Sequence, residues 1–278
     1  MTVVVPTLQD QRFEPIELAG SGSVATVWRA LDRETGATVA IKLMRQSSMQ
    51  LEAVQRLAQE VKILKTLSHP CVVKVFATGV EQTEGTPYLV MEWIDGISLR
   101  ERIHQGGLSM LDVADIIGQI CAGLTAAHDA GVVHRDLKPE NVMLCAPEHI
   151  AVKIVDFGMA KVLGPAGPDL TQGEKIFGTP QYMSPERARG RQVGAPADVY
   201  AVGVMTYELL TGTRPFEADK PLDILIQHVS KQPPGLPDAL AKVEPTVLTA
   251  LAKEPKNRPS AAEFARLLAV SLTTLGEA

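Results

Sequence analysis

Cysteine is scarce in this 278-residue chain, and the three present, Cys71, Cys121 and Cys145, stand apart with no C-x-x-C pair. That excludes a disulfide framework and a cysteine-rich zinc site, and it points to a reducing compartment. Long apolar runs are also missing: no stretch reaches the roughly 18 consecutive apolar residues of a transmembrane helix. The opening MTVVVPTLQDQR has no basic segment followed by a long apolar core. The expectation is therefore a cytoplasmic chain without a membrane segment. Basic side chains are not in excess either, since 27 Lys and Arg face 32 Asp and Glu for a formal charge of −5. Holding nucleic acid requires clustered cations to neutralise phosphates, so nucleic acid is not an expected partner. Repeats and low-complexity tails are absent. What remains is 45% hydrophobic and 21% charged, an ordinary globular composition sized for one large domain or two lobes.

The first third reads as strands. Glu14–Leu18, Thr26–Ala30 and Thr38–Leu43 are short β-branched or apolar segments separated by Gly20, Gly22 and the Asp-Arg-Glu-Thr-Gly turn at 32–36, a pattern of antiparallel hairpins. Leu51, Val54, Leu57, Val61 and Leu64 recur at steps of three and four, which predicts one amphipathic helix ending before His69-Pro70. Strand-like runs follow at Cys71–Ala77 and Tyr88–Trp93. After Asp95-Gly96 the pattern turns helical. Ser109 with Asp112 is a capping-box signal, and Leu111, Ala114, Ile117, Ile120, Leu124 and Ala127 extend it into a long helix stopping at Gly131. Residues 164–178 are rich in Gly, Pro and Thr and read as a loop inside the second lobe. Pro245–Leu268 reads as two helices around residues 254–259.

Several side chains stand out chemically. Gly20-Ser21-Gly22-Ser23 lies where two strands must turn, and its small residues let backbone N–H groups approach a polyphosphate. Taken alone it is equally a hairpin turn. No G-K-[ST] follows, which excludes the Walker-type phosphate loop. Lys42 closes the apolar strand 38–41 and needs either water or a carboxylate partner. Glu60, placed between Leu57 and Leu64, projects from the buried side of its helix and is costly unless paired. His134-Arg135-Asp136-Leu137-Lys138-Pro139-Glu140-Asn141 is followed 20 residues after Asp136 by Asp156-Phe157-Gly158. Asn141 and Asp156 are hard oxygen donors that suit Mg²⁺ completed by substrate phosphates.

With these pieces in order, the chain resembles a eukaryotic-type Ser/Thr protein kinase catalytic domain over about residues 12–268. The motifs are G-x-G-x-x-A-x-V, V-A-I-K, the helix Glu, H-R-D-L-K-P-E-N, D-F-G, G-T-P-x-Y-M-S-P-E, D-V-Y-A-x-G and R-P. Ala25 stands where the family has a third loop glycine. The S-P-E ending and the 4% aromatic content look like a bacterial member. The resemblance implies an α+β, bilobal fold: an N-lobe over 1–95, with a small antiparallel sheet and one helix, and a larger, mainly helical C-lobe over 96–278.

It also implies roles. Asp136 would orient the substrate hydroxyl and accept its proton, Lys138 would touch the transferred phosphoryl, and Asn141 with Asp156 would hold two Mg²⁺ ions, with Mn²⁺ as the alternative. Lys42, positioned by Glu60, would grip the α and β phosphates of ATP below Gly20, Ser21, Gly22 and Ser23. Adenine would lie among Val27, Ala40, Met143 and Val155, against the backbone of Glu92–Ile94 and in front of Met91. Lys138 and Thr179 imply Ser/Thr rather than Tyr specificity. His134 would pack structurally on Phe157, with Leu64 and Val75 in the same column. Glu186 and Arg258 would form a buried ion pair, and Asp198 would anchor the catalytic loop. Protein substrates follow, and the resemblance allows a homodimer through the N-lobe.

A nucleotide-binding scaffold without turnover has no need to keep Lys42, Asp136, Asn141 and Asp156 together, and a small-molecule kinase has no need of the 178–186 segment. His69, His104, His128, His149 and His228 lack metal-ligand spacing and read as surface residues, and Met44, Met49 and Met205 as core filler. Arg135 beside Asp136 can dock a phosphate carried by the loop after Gly158, and Thr171 is the hydroxyl in its variable part. Autophosphorylation at Thr171 is the expected outcome. Fragment mass spectra of active protein check it, and the absence of phosphate there removes the idea.

Overall fold

The computed structural model describes residues 5–22, 25–44, 61–62, 64–83, 85–145, 150–157 and 179–276. The chain divides into two compact units, Met1–Ser68 with Val73–Asp95, and His69–Val72 with Gly96–Ala278.

The first unit is built on a five-stranded antiparallel sheet. Its strands are β1 (Phe13–Ser21), β2 (Ala25–Asp32), β3 (Thr38–Met44), β4 (Val75–Val80) and β5 (Pro87–Glu92), in spatial order β1-β2-β3-β5-β4. Residues opposite one another in such a ladder share a face, and successive residues alternate. Trp28 faces Ile41, which faces Val90. With Phe13, Ala30, Val39 and Tyr88 they form a buried core, each large side chain contributing roughly 1.5–3 kcal/mol on leaving water. The opposite face carries Val27 across from Lys42 and Ala40 across from Met91. Alternation along three strands thus separates the core from the side chains singled out for nucleotide.

The second unit contains a small sheet of β6 (Gly96–Ser98), β7 (Val142–Cys145) and β8 (Ala151–Ile154). Its helices are α1 (Leu99–Gln105), α2 (Met110–Asp129), α3 (Pro185–Ala188), α4 (Ala195–Thr211), α5 (Pro221–Ser230), α6 (Glu244–Ala250) and α7 (Ala261–Gly276). The capping box at α2 forms as expected: Ser109 Oγ accepts from the Asp112 amide, and the Asp112 carboxylate accepts from the Ser109 amide. Helix α2 is long and apolar enough to cross a membrane by length and composition. Its stripe of Val113, Ile116, Ile117, Ile120 and Leu124 is instead buried inside the unit, against α7 and α4. Helix α4 is apolar nearly all round and correspondingly buried. At Gly203 it approaches α6 so closely that a Cβ would stand 2.9 Å from Ala250 Cβ.

Three expectations need correction. The run Cys71–Ala77 is not one strand: β4 begins at Val75, while Val72 bridges Ile154 in parallel and the Cys71 carbonyl accepts from the Ile154 amide at 2.8 Å. Cys71 and Val72 are buried, as the pattern implied, but they belong to the second unit. Helices α1, α3, α4 and α5 and strands β6–β8 are additional to the elements expected. His228 is not a surface residue, and His128 is largely buried. The predicted helix from Leu51 falls mostly outside the described residues, although 61–62 and 64–66 are helical. Met49, His149 and 164–178 lie outside them altogether, while Met44 and Met205 are buried.

His228 lies on the same face of α5 as Ile224 and Leu225, fully buried. Its Nδ1 is 2.8 Å from the Tyr200 hydroxyl, and its ring meets Phe216 edge-on at 4.9 Å. Burial, then the Lys253 charge, pushes its pKa from 6.5 down to about 3. A histidine held below its unfolded value takes up its proton more readily in the unfolded chain. Its contribution is therefore complete above pH 6.5 and drains away as the pH falls toward 3. Urea unfolding of the wild type is expected to lose, from this group, up to about 1.4 kcal/mol per pH unit in that window. His228→Gln should remove that component, so parallel stability curves for the two proteins would contradict the assignment.

Candidate active site

In the first unit, Gly20 and Ser21 end β1 opposite Val27 and Thr26, and the Gly22 amide donates to the Ala25 carbonyl at 2.9 Å. A bulge between Leu18 and Gly20 re-aims the strand as it enters this turn. Val27, Ala40, Lys42 and Met91 share the non-core face of the sheet, and Glu92 closes β5 with its carboxylate accepting from the Lys74 amide at 2.8 Å. Ile94 follows the strand. Ser23 and Glu60 lie outside the described residues.

In the second unit, the predicted residues cluster on the loop between α2 and β7. The keystone is Asp198, in the first turn of α4 and 1% exposed. Its Oδ1 accepts from the Arg135 amide at 2.8 Å and its Oδ2 from the His134 amide at 2.9 Å, while His128 Nε2 lies 2.8 Å from the same Oδ2. Arg135 and Asp156 have positive φ, 70° and 66°, a region that costs non-glycine residues of order 1 kcal/mol or more. The Asp198 carboxylate fixes the first of these. The buried His134 ring accepts from the Asp136 amide through Nδ1 at 3.3 Å, leaving Nε2 to donate to the Val155 carbonyl at 2.8 Å. It packs 4.8 Å from Phe157, so its part is structural.

Asp136 is partly exposed, and its two oxygens meet different cations: Lys138 Nζ at 3.1 Å and Arg187 Nη1 at 2.8 Å. Burial alone would raise its carboxyl, but Lys138 and Arg187 outweigh burial and hold it below the ordinary carboxylate range. Lys138 also donates to Thr179 Oγ1 at 3.1 Å. Asn141 is buried, and its Nδ2 donates to the Asp136 carbonyl at 2.8 Å. Its own carbonyl accepts from the Val155 amide at 2.9 Å, and β7 pairs with β8 from Val142↔Ile154 onward. The ladder therefore brings Asn141 beside the backbone that leads into Asp156. Met143 lies on β7 and Val155 just beyond β8. Thr171 lies outside the described residues.

The Arg258–Glu186 pair is bidentate at 2.8 Å for both contacts and buried, so removing one partner would leave a buried charge. Sequence reasoning missed two features. Arg187 reaches Asp136 from α3, and no spacing marks it. Arg100 on α1 meets Glu208 at 2.9 Å and Glu140 at 3.1 Å, and it contacts the Tyr182 hydroxyl, which itself donates to Glu208. Burial and then Glu208 push that hydroxyl up, so it stays a donor. Arg100 and Glu208 are 108 positions apart, with no local signal joining them.

An amide in place of the Asp198 carboxylate presents one acceptor oxygen where the loop uses two. Asp198→Asn is expected to leave the amide of His134 or Arg135 without its acceptor, costing about 1–3 kcal/mol locally. Hydrogen exchange at these amides should accelerate, and unchanged protection would contradict the anchoring role.

The family model described as the protein kinase domain matches residues 13–267. The serine/threonine-protein kinase PknB of Mycobacterium tuberculosis is 36% identical over 266 residues, covering 92% of this chain and 42% of that protein. A probable serine/threonine-protein kinase PknB of Corynebacterium glutamicum is 38% identical over 259 residues, covering 89% and 40%. The chain thus spans about two fifths of the length of these curated relatives. The crystal structure of the Mycobacterium tuberculosis PknI kinase domain shares the fold, with a TM-score of 0.74 at 21% identity over 97% of this chain and all of that one. Since the family match runs from the first strand of the five-stranded sheet into the last helix, the chain belongs to the protein kinase family.

Proposed function

We propose that this chain is a serine/threonine protein kinase domain that transfers the γ-phosphoryl group of ATP to Ser or Thr hydroxyls of proteins. The observation that carries this reading is the loop around Asp136. A carboxylate kept ionised by Lys138 and Arg187 is suited to accept a hydrogen bond from a hydroxyl and align it for attack. Its cationic partner Lys138 is suited to the charge that spreads over the migrating phosphoryl. The named relatives, serine/threonine-protein kinases, support the choice of hydroxyl, as does Thr179 on Lys138.

The donor set fits Mg²⁺. Because Asn141 Nδ2 is committed to the Asp136 carbonyl, the oxygen of that side chain is the group left to coordinate. Asp156 adds a carboxylate, the second hard oxygen donor of a site that substrate phosphates would complete. A bound Mg²⁺ would offset the charge of the β and γ phosphates. Lys42, with Glu60 as its partner, is assigned to the α and β phosphates, beneath the turn at Gly20, Ser21, Gly22 and Ser23. Val27, Ala40, Met91, Met143 and Val155 are assigned to adenine, beside the backbone of Glu92 and Ile94.

Regulation through Arg135 belongs to the same reading, with Thr171 as the phosphate carrier. Arg135 Nε is buried with no hydrogen-bond partner among the described residues, which suits an arginine awaiting an anion. A cytoplasmic setting and a homodimer through the N-lobe complete the proposal.

Transfer from labelled ATP with Mg²⁺ to a generic basic protein tests it. Asp136→Asn should lose about 10²- to 10⁴-fold in turnover. Asp156→Ala should abolish metal-dependent transfer while retaining the wild-type circular dichroism spectrum. Near-normal turnover by Asp156→Ala would overturn the metal assignment, and phosphate on Tyr alone would overturn the substrate class.

A further inference from the structure

Arg187 lies in a four-residue helix, yet it has a fixed base. The neighbouring Glu186 is held by Arg258 in a bidentate pair at 2.8 Å, and the Glu186 carbonyl accepts from the Arg191 amide at 2.9 Å. Ser184 caps the helix, its hydroxyl accepting from the Arg187 amide at 3.4 Å. From this base the guanidinium enters the catalytic loop, 16% exposed, and its Nη1 donates twice: to the Arg135 carbonyl and to Asp136 Oδ1 at 2.8 Å. The carbonyl it satisfies belongs to a residue at φ 70°.

The other carboxylate oxygen is held by Lys138. Two donors fix the carboxylate plane, and among the described residues they use two of the roughly four lone-pair positions a carboxylate offers. Lys138 is a mobile ammonium on a long stem, whereas a guanidinium is a planar donor with fixed angles. Of the two holds on Asp136, Arg187 is therefore the rigid one, and it is borne by the segment that begins at Thr179, which itself touches Lys138.

We propose that Arg187 is a positioning residue, holding the Asp136 carboxylate in the orientation that receives the acceptor hydroxyl and tying that orientation to the 179–188 segment. The inference rests on the kinase reading above. Arg187 acts through Asp136 and not on the nucleotide, so its removal appears in kcat and leaves the KM for ATP nearly unchanged. Misplacing a reacting group by about 1 Å can cost on the order of 10²-fold.

The test compares wild type, Arg187→Gln, Arg187→Lys, Asp136→Asn and the Arg187→Gln/Asp136→Asn double variant in transfer to a generic basic protein, with melting temperatures measured alongside. Arg187→Gln should lower kcat by about 10- to 100-fold with the KM for ATP within about twofold. Arg187→Lys should recover part of the loss, because an ammonium keeps one contact of the two. In the Asp136→Asn background, Arg187→Gln should have little further effect, since the two side chains work as one unit. A kcat for Arg187→Gln at or above that of wild type overturns the inference. So does an equal factor in both backgrounds, or a loss that merely follows a lower folded fraction. A wild type that transfers no phosphate overturns the kinase reading and this inference with it, whereas an active wild type with an indifferent Arg187→Gln overturns this inference alone.

Discussion

The second unit is organised around the buried Asp198 carboxylate. Two consecutive amides, those of His134 and Arg135, turn inward to the same side chain, and a regular strand or helix would not direct neighbouring N–H groups so. A carboxylate buried at the start of a helix gains from the helix dipole, and here it spends its acceptors on a loop. The left-handed backbone at Arg135 follows from that choice, and Asp136 takes its direction from Arg135.

Charge is distributed by the same logic. Asp136 faces Lys138 and Arg187, Glu186 faces Arg258, and Glu208 faces Arg100. Pairs of this kind add little net stability once desolvation is counted, but breaking one is costly, so they define geometry. Arg100 shows the principle most fully. One guanidinium satisfies Glu208, Glu140 and the Tyr182 hydroxyl, and so joins α1, the loop between α2 and β7, the segment before α3 and helix α4.

What was legible in the sequence follows from the range of each signal. The capping box at Ser109 and Asp112 needs only three residues of separation, and it forms as read. The hairpins of the first unit were legible because alternation and turn residues are local. Cys71–Ala77 misled because apolar content reports burial and not the partner, and Val72 pairs with Ile154, 82 positions onward. His228 carried a readable signal that residue type obscured: it lies four positions after Ile224 and three after Leu225, on the buried stripe of α5. For Arg187 and Arg100 no local pattern exists, since their partners are 40 to 108 residues away. The motif residues were singled out by the family resemblance, and the structure brings Asp136, Lys138 and Asn141 together on one loop.

The boundary between the two units has a consequence for anyone wishing to handle them separately. Residues 69–72 belong to the second unit, although the chain returns to the first for β4 and β5 before leaving at residue 95. The peptide backbone thus passes between the units three times. No single proteolytic cut or truncation yields either one whole: a fragment ending at residue 68 lacks two of the five strands of the sheet, and one beginning at residue 96 lacks the Cys71 carbonyl and the Val72 bridge that border β8. Excising either unit requires joining ends that the gene keeps apart, and heterologous expression must carry both together.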